Sequence, residues 1–256
     1  VSLSRGKVAA WRAAVVVVGL SAWELASDRL IPSFYVSKPS AIAQRLFDLF
    51  ASGQIFPHLL ATFIEIFAGF AIGLPMGLLV GLVLGSWRFG ARVFQPFMIL
   101  LYSMPLLALA PLLLLWFGIG PNFKIVLVAV SVFFFVFFNT FAGARDLDAD
   151  LVGSLRIMGA SWPDVFAKVT MPASVDWIFT GIKVAAPYAL AAAVVGEMLV
   201  AHAGLGQLLV RATQMNDMAR LYAVLLIIMA IGVIFADAVN RLELLVMRRQ
   251  GRTLNV

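Results

Sequence analysis

The chain has no cysteine and only two histidines in 256 residues, and charged residues make up 12% of it. The absence of cysteine excludes disulfides, iron–sulfur clusters and thiol catalysis. His58 and His202 stand far apart with no ligand spacing, which argues against a metal centre or a general base at either. A soluble domain carries about 25% charged residues to keep its surface solvated. Here half of that charge is missing while 62% of residues are hydrophobic and the mean hydropathy is +1.00. Lipid is the expected cover, since so much apolar surface would aggregate in water. There is no G-x-x-x-x-G-K-[ST] run, so the chain has no phosphate-cradling loop of its own. No basic stripe is interleaved with aromatics either, so the net charge of +6 does not point to nucleic acid.

What is present is a series of long apolar runs. A helix needs about 20 apolar residues to cross the hydrocarbon core. Six stretches qualify, roughly 8–27, 59–85, 93–117, 122–142, 174–200 and 220–246. Backbone polar groups cannot stay unpaired in lipid, so these runs are expected as helices. The fold class is thus all-α and polytopic, six transmembrane helices in a single domain spanning 1–256. Residues 8–26 imitate a signal peptide, but no small-residue cleavage site follows, and they read as a retained helix. Thirteen of the nineteen Lys and Arg residues fall on one side, from Arg5, Lys7 and Arg12 through Arg88, Arg92, Arg145 and Arg156 to Arg248, Arg249 and Arg252. Arg29, Lys38, Arg45, Lys124, Arg211 and Arg220 fall on the other. The positive-inside rule then places both termini in the cytoplasm. Trp11, Trp87 and Trp116 lie near span ends, where an amphipathic ring suits the headgroup region.

Three connections are long. Residues 28–58 contain Pro32, Pro39 and a periodic stretch in which Ile42, Leu46, Phe47 and Phe50 share a face, a pattern for a helix lying on the membrane surface. Residues 201–219 read as a second outer loop, opening with Gly204 and Gly206. The third, residues 145–172 between the fourth and fifth spans, is the only substantial cytoplasmic loop. In it Leu147, Leu151, Leu155 and Met158 recur at helical spacing, with Asp146, Asp148, Asp150 and Arg156 mostly elsewhere, until Gly159 ends the helix, as a glycine able to take a left-handed backbone does. Ser161 and Asp164 then form an S-x-x-D capping box with Pro163 in the first turn. Val165, Phe166 and Val169 give the short helix an apolar face, expected to sit in water unless a partner covers it, and Pro172 closes the unit.

This loop resembles the EAA motif of ATP-binding-cassette importer permeases: E-A-A, three residues, Gly, nine residues, Ile-x-Leu-Pro. From Gly159, nine residues lead to Val169, followed by Thr170, Met171 and Pro172. The E-A-A positions are occupied by Gly153, Ser154 and Leu155, so the glutamate contact of the motif is missing. Ala110-Pro111-Leu112 with Trp116-Phe117-Gly118, Thr180-Gly181-Ile182-Lys183, and Gly196-Glu197 with Gly204-Leu205-Gly206 resemble the nitrate, sulfonate and taurine branch, which includes carriers of thiamine-precursor type. The resemblance runs from about residue 30 to 245.

The resemblance implies a permease of the type I fold in a bacterial cytoplasmic membrane, paired with a second copy of itself. Two ATP-binding-cassette ATPase subunits would dock on its loops, and an extracytoplasmic solute-binding protein would deliver a small organic or inorganic anion or a vitamin precursor. ATP and Mg would be held by the ATPase, leaving this chain with no cofactor and no catalysis. The ATPase-coupling residues it implies are Gly159, Ala160, Ser161, Asp164, Val165, Phe166, Val169 and Pro172.

The pathway candidates come from the spans. Glu65 and Glu197 are ionisable groups in apolar runs, which marks them as functional candidates. Glu197 could pair with a basic group at an outer gate; the plainer readings are that Glu65 sits near the outer interface and reaches it along its stem, and that Glu197 merely faces water. Ala185, Ala189 and Ala193 recur every four residues and allow close helix approach, to a second copy or along the pathway. Lys183 reads as an anchor reaching the interface, and Asp237 with Arg241 as a pair along one helix. The dense aromatics from Phe133 to Phe138 suit a packed or lipid-facing helix. Two other classes fit the sequence less well. A secondary transporter usually shows inverted repeats with matching broken helices, and a membrane enzyme needs clustered His, Asp, Glu or Cys at one face; the sequence offers neither.

Overall fold

The computed structural model describes residues 5–27, 35–104, 106–147, 153–155, 157–200 and 202–249. Arg29, Pro32, Asp148, Asp150, Leu151, Arg156 and Arg252 lie outside the described residues. Every regular element among them is helical: α1 (Arg5–Ala26), α2 (Pro39–Ala51), α3 (Ile55–Ser86), α4 (Arg88–Ser103), α5 (Leu106–Phe117) and α6 (Pro121–Arg145) come first. Then follow α7 (Trp162–Val165), a π-helical turn (Phe166–Thr170), α8 (Met171–Ala173), α9 (Val175–Val200), α10 (Leu205–Gln214) and α11 (Met218–Arg249).

Among the described residues five helices, α1, α3, α6, α9 and α11, are long and apolar enough to cross a membrane alone. The expected span 93–117 is corrected: α4 and α5 are bent against each other by 97° and make a sixth span only as a broken pair. The cause lies in the sequence at the break. Met104 precedes Pro105 and takes an extended backbone with ψ 128°, because a residue before proline is driven out of the helical region. The loop expected over 201–219 is also corrected, since it holds the helix α10. Leu205, Leu208, Leu209 and Ala212 are buried there, an i, i+3, i+4, i+7 stripe.

The core is a sandwich with α6 in the middle. Along α3, glycines recur every four residues at 69, 73, 77, 81 and 85, and all five are buried against α6. A Cβ on Gly81 would stand 2.8 Å from Thr140 Cβ, and one on Gly85 would stand 3.0 Å from the Phe141 carbonyl oxygen. The matched registers rise together, Gly69 meeting Val128 and Gly85 meeting Ala144, so α3 and α6 run parallel at backbone-to-backbone distance. In lipid no hydrophobic force drives helices together, and small residues that admit close packing supply the association instead. On its other side α6 meets α9 antiparallel: Gly196 lies on Lys124 and Leu127, and Gly181 on Val136 and Asn139.

Two helices tie onto this core through polar contacts. The apolar window of α1 is unburied by the rest of the chain; the Ser40 backbone N–H and hydroxyl donate to the Glu24 carboxylate at 3.0 and 2.7 Å. The surface helix expected near 40–50 is α2, but its inward face is Ile42, Leu46 and Leu49, while Phe47 and Phe50 are exposed. Arg45 pairs with Asp217 at 3.0 Å, fixing α2 to the turn between α10 and α11.

Candidate functional site

The loop after α6 is built as its residues dictate. Gly159 has φ +90°. The Ala160 N–H donates to the Leu155 carbonyl at 3.0 Å, the six-residue closure of a glycine-terminated helix. Past that turn, the Ser161 N–H donates to Asp164 Oδ2 at 3.3 Å, and the Asp164 N–H to Ser161 Oγ at 3.4 Å. The Ser161 hydroxyl also donates to Asp164 Oδ2. Lys168 Nζ adds a 2.8 Å ion pair with Asp164 Oδ1. Hydrogen bonds from Lys168 and from Ser161 hold the Asp164 carboxyl well below the usual carboxylate range, at about 2.

Two expectations about this loop are corrected. Val165 is buried within the chain itself and Phe166 half-buried, so the helix does not present them to water. Among the described residues of the loop the barest apolar side chains are Ile157 at 90% and Met158 at 81% exposure, one turn earlier beside Gly159. Pro172 does not end the unit either. It sits in the first turn of α8, and the chain continues helically almost without a break from Trp162 to Val200. Proline has no N–H to give the carbonyl four residues back. The turn before it widens accordingly, with the Met171 N–H donating to Phe166 O, a π-type bond. The second half of this loop is therefore helically continuous with the next span.

At the opposite end of the bundle the two acidic candidates meet. Glu65 pairs with Lys124, their side chains 3% and 7% exposed. Glu197 is 1% exposed, accepting from the Thr62 hydroxyl at 2.5 Å and from the Gly206 N–H at 2.7 Å. Thr62 in turn accepts from the Leu205 N–H at 3.1 Å, and His58 Nδ1 lies 3.0 Å from both N and O of Gly204. Side chains from α3, α6 and α9 thus converge on the N-terminus of α10. Neither glutamate reaches the interface or faces water, so the plainer readings of both are corrected. Among the described residues no group of His, Asp and Glu is placed to hold a metal.

Ala185, Ala189 and Ala193 are each 0% exposed, inside the core that α9 forms with α6 and α11. Their contacts are within one chain, which corrects the expectation that this face meets a second copy or lines the pathway. Lys183 pairs with Glu243 of α11 instead of reaching for the interface, and Arg241 pairs with Asp237 at 2.7 Å as expected. The glycine series of α3, which sets the main helix contact, was missed; its signal, five glycines at strict four-residue spacing, was in plain view. A cavity of about 530 Å³ between α4 and α6 was also not foreseen. Gln95, Phe137, Phe138, Phe141 and Arg145 line it. Arg145 donates to Gln95 Oε1 at 2.9 Å and lies over the Phe141 ring at 5.5 Å.

An all-helical bundle with several helices apolar and long enough to span a bilayer defines a polytopic membrane protein. Residues 73–243 match the binding-protein-dependent transport system inner membrane component family, and the chain belongs to that family. It is 31% identical to the aliphatic sulfonates transport permease protein SsuC of Bacillus subtilis over 80% of this chain and 74% of that one. It is likewise 31% identical to SsuC of Escherichia coli, over 81% and 79%. Identity to the formylaminopyrimidine transport permease protein ThiX of Halalkalibacterium halodurans is 28%, over 86% and 88%. The fold matches a chain of the methionine ABC transporter MetNI in an inward-facing conformation. That match has a TM-score of 0.55 and 21% identity, covering 74% of this chain and 92% of the other. The chain is the transmembrane permease subunit of an ATP-driven importer in a multi-pass inner-membrane arrangement, and its relatives are transport permeases rather than enzymes.

Proposed function

We propose that this permease imports a small organic anion of the sulfonate class. The observation that carries the reading is the 31% identity to two SsuC permeases from distant bacteria, each aligned over about four-fifths of this chain. The cavity between α4 and α6 supports it: an Arg145 guanidinium at an aromatic wall offers charge to a sulfonate head and apolar surface to its alkyl body. The chain works as a pair of copies, with two ATPase subunits gripping the Gly159 loop and holding ATP and Mg, and a solute-binding protein docking on the other face. The loop lies in the cytoplasm with both termini. Gly159, Ala160, Ser161, Asp164, Val165, Phe166, Val169 and Pro172 transmit the ATPase stroke. Ile157 and Met158, bare and apolar, supply the contact that Val165 does not.

The test is uptake by the complete importer, with its binding protein, in proteoliposomes. Accumulation of a labelled short alkanesulfonate driven by ATP is expected, reduced at least tenfold by Arg145→Gln with ATPase activity kept. ATP-driven uptake of a formylaminopyrimidine in place of the sulfonate would move the chain to the substrate of the ThiX relative.

A further inference from the structure

Three buried ionisable side chains on three different helices meet beneath α10: Glu65 of α3, Lys124 of α6 and Glu197 of α9. Their hydrogen bonds can be counted atom by atom. Glu65 Oε1 takes Lys124 Nζ. Glu197 Oε1 takes the Thr62 hydroxyl, and Glu197 Oε2 takes the Gly206 N–H. One oxygen is left over: Glu65 Oε2 is buried and receives no donor. The Glu65 and Glu197 carboxyl groups lie within hydrogen-bonding reach of each other. Two ionised carboxylates are acceptors only and cannot bond to each other.

Charge counting leads to the same place. Two carboxylates and one ammonium leave a net negative charge inside a transmembrane bundle, where an uncompensated charge is costly. The other ionisable groups nearby do not cancel it. His58 of α3 is turned onto the Gly204 backbone, and Arg211 of α10, whose charge acts on His58, is exposed to solvent. A single proton on Glu65 Oε2 turns the orphan oxygen into a donor towards Glu197 and makes the cluster neutral.

We propose that Glu65 and Glu197 hold one proton between them, carried on Glu65 Oε2, and that this proton keeps α10 seated in the bundle. Glu197 is the link: it grips the Gly206 amide, and its carboxyl fills the hollow of the Gly204 turn, where φ is +126°. With the proton lost, two carboxylates face each other, and their repulsion drives Glu197 away from Gly206 and loosens the start of α10. Seating therefore holds on the acid side of the titration and fails on the alkaline side. This site is separate from the sulfonate reading and stands or falls without it.

The test is infrared spectroscopy of the full chain in lipid membranes, paired with hydrogen exchange. The wild type should show the carbonyl stretch of a neutral carboxylic acid at neutral pH. That band should be absent in Glu65→Gln and displaced in Glu65→Asp, the second variant covering the case in which the first does not fold. As pH rises and the band vanishes, amide exchange over 205–214 should accelerate in step. In Glu65→Gln, whose amide donates to Glu197 at any pH, the same amides should stay protected across the range. No neutral-acid band in the wild type at neutral pH, a band that survives Glu65→Gln, or exchange that ignores its loss each overturns the proposal.

Discussion

Gly77 of α3 lies so close to Val136 of α6 that a Cβ on the glycine would stand 3.0 Å from Val136 Cβ, and 2.9 Å from the Phe133 carbonyl oxygen. The second of these is backbone, which cannot swing aside as a flexible side chain can. Gly77→Val should therefore force the helices apart and lower stability by about 1–3 kcal/mol, the usual cost of overpacking. Thermal unfolding of the purified chain in detergent checks this, and an unchanged midpoint would mean the α3–α6 contact is looser than described.

Ala189 is fully buried within the chain. Ala189→Leu should act as a folding defect and not as a block in a transport pathway. Folded yield and thermal midpoint should fall together, and the protein that does fold should transport at the normal rate per molecule. A well-folded variant with no transport would return this face to the pathway.

Nothing lies within 4 Å of a Cβ placed on Gly159, yet its φ is +90°. Any effect of substitution there comes from backbone strain alone. Gly159→Val should insert normally but lose ATP-driven uptake and ATPase stimulation. Gly159→Asn should retain a large part of both, because asparagine visits the left-handed region more easily than a β-branched residue. Equal loss in the two variants would point to a requirement for an open surface instead.

The Asp164 cap has a calculable pH range. Its carboxyl is lowered to about 2 from an unfolded value of about 3.9. A depressed acid stabilises the folded form above its unfolded value and loses that contribution as pH falls through the folded one. Amide exchange at Asp164 and Val165 should thus be unaffected by this group between pH 7 and 5, once corrected for intrinsic rates. Asp164→Asn should raise that exchange at every pH in the range.

Lys183 and Glu243 pair across α9 and α11 with the glutamate side chain 12% exposed. Lys183→Met alone should cost about 1–3 kcal/mol by stranding a largely buried carboxylate. The double variant with Glu243→Leu should regain most of that loss, since removing both partners leaves nothing unpaired. A double-mutant cycle on thermal stability measures the coupling; additive losses would mean that the pair contributes nothing.

Much of this protein was determined by local order in the sequence. Span existence follows from apolar length, because lipid demands a helix of fixed reach. The Gly159 turn and the Ser161–Asp164 box follow from backbone chemistry confined to a few consecutive residues, and the structure reproduces both. The same locality explains the Asp237–Arg241 pair, four residues apart on one helix. The bend between α4 and α5 was legible at Pro105 but yielded to the apolar run around it, since hydropathy averages over a single proline.

What tertiary structure alone decided are the meetings of residues distant in the chain. Lys124 was sorted with the cations of one face, and only the packing of α3 on α6 turns it inward to Glu65. Glu197 finds Thr62 across 135 positions, and Lys183 finds Glu243 across two helices. The alanines of α9 have the spacing of a helix contact, but spacing does not say which helix; the answer, a neighbour in the same chain, depends on how the bundle closes. Val165 is buried by other parts of the chain, which no periodicity count contains. Sequence patterns define which face of a helix is apolar or small, whereas the partner of that face is set by the mutual packing of whole helices.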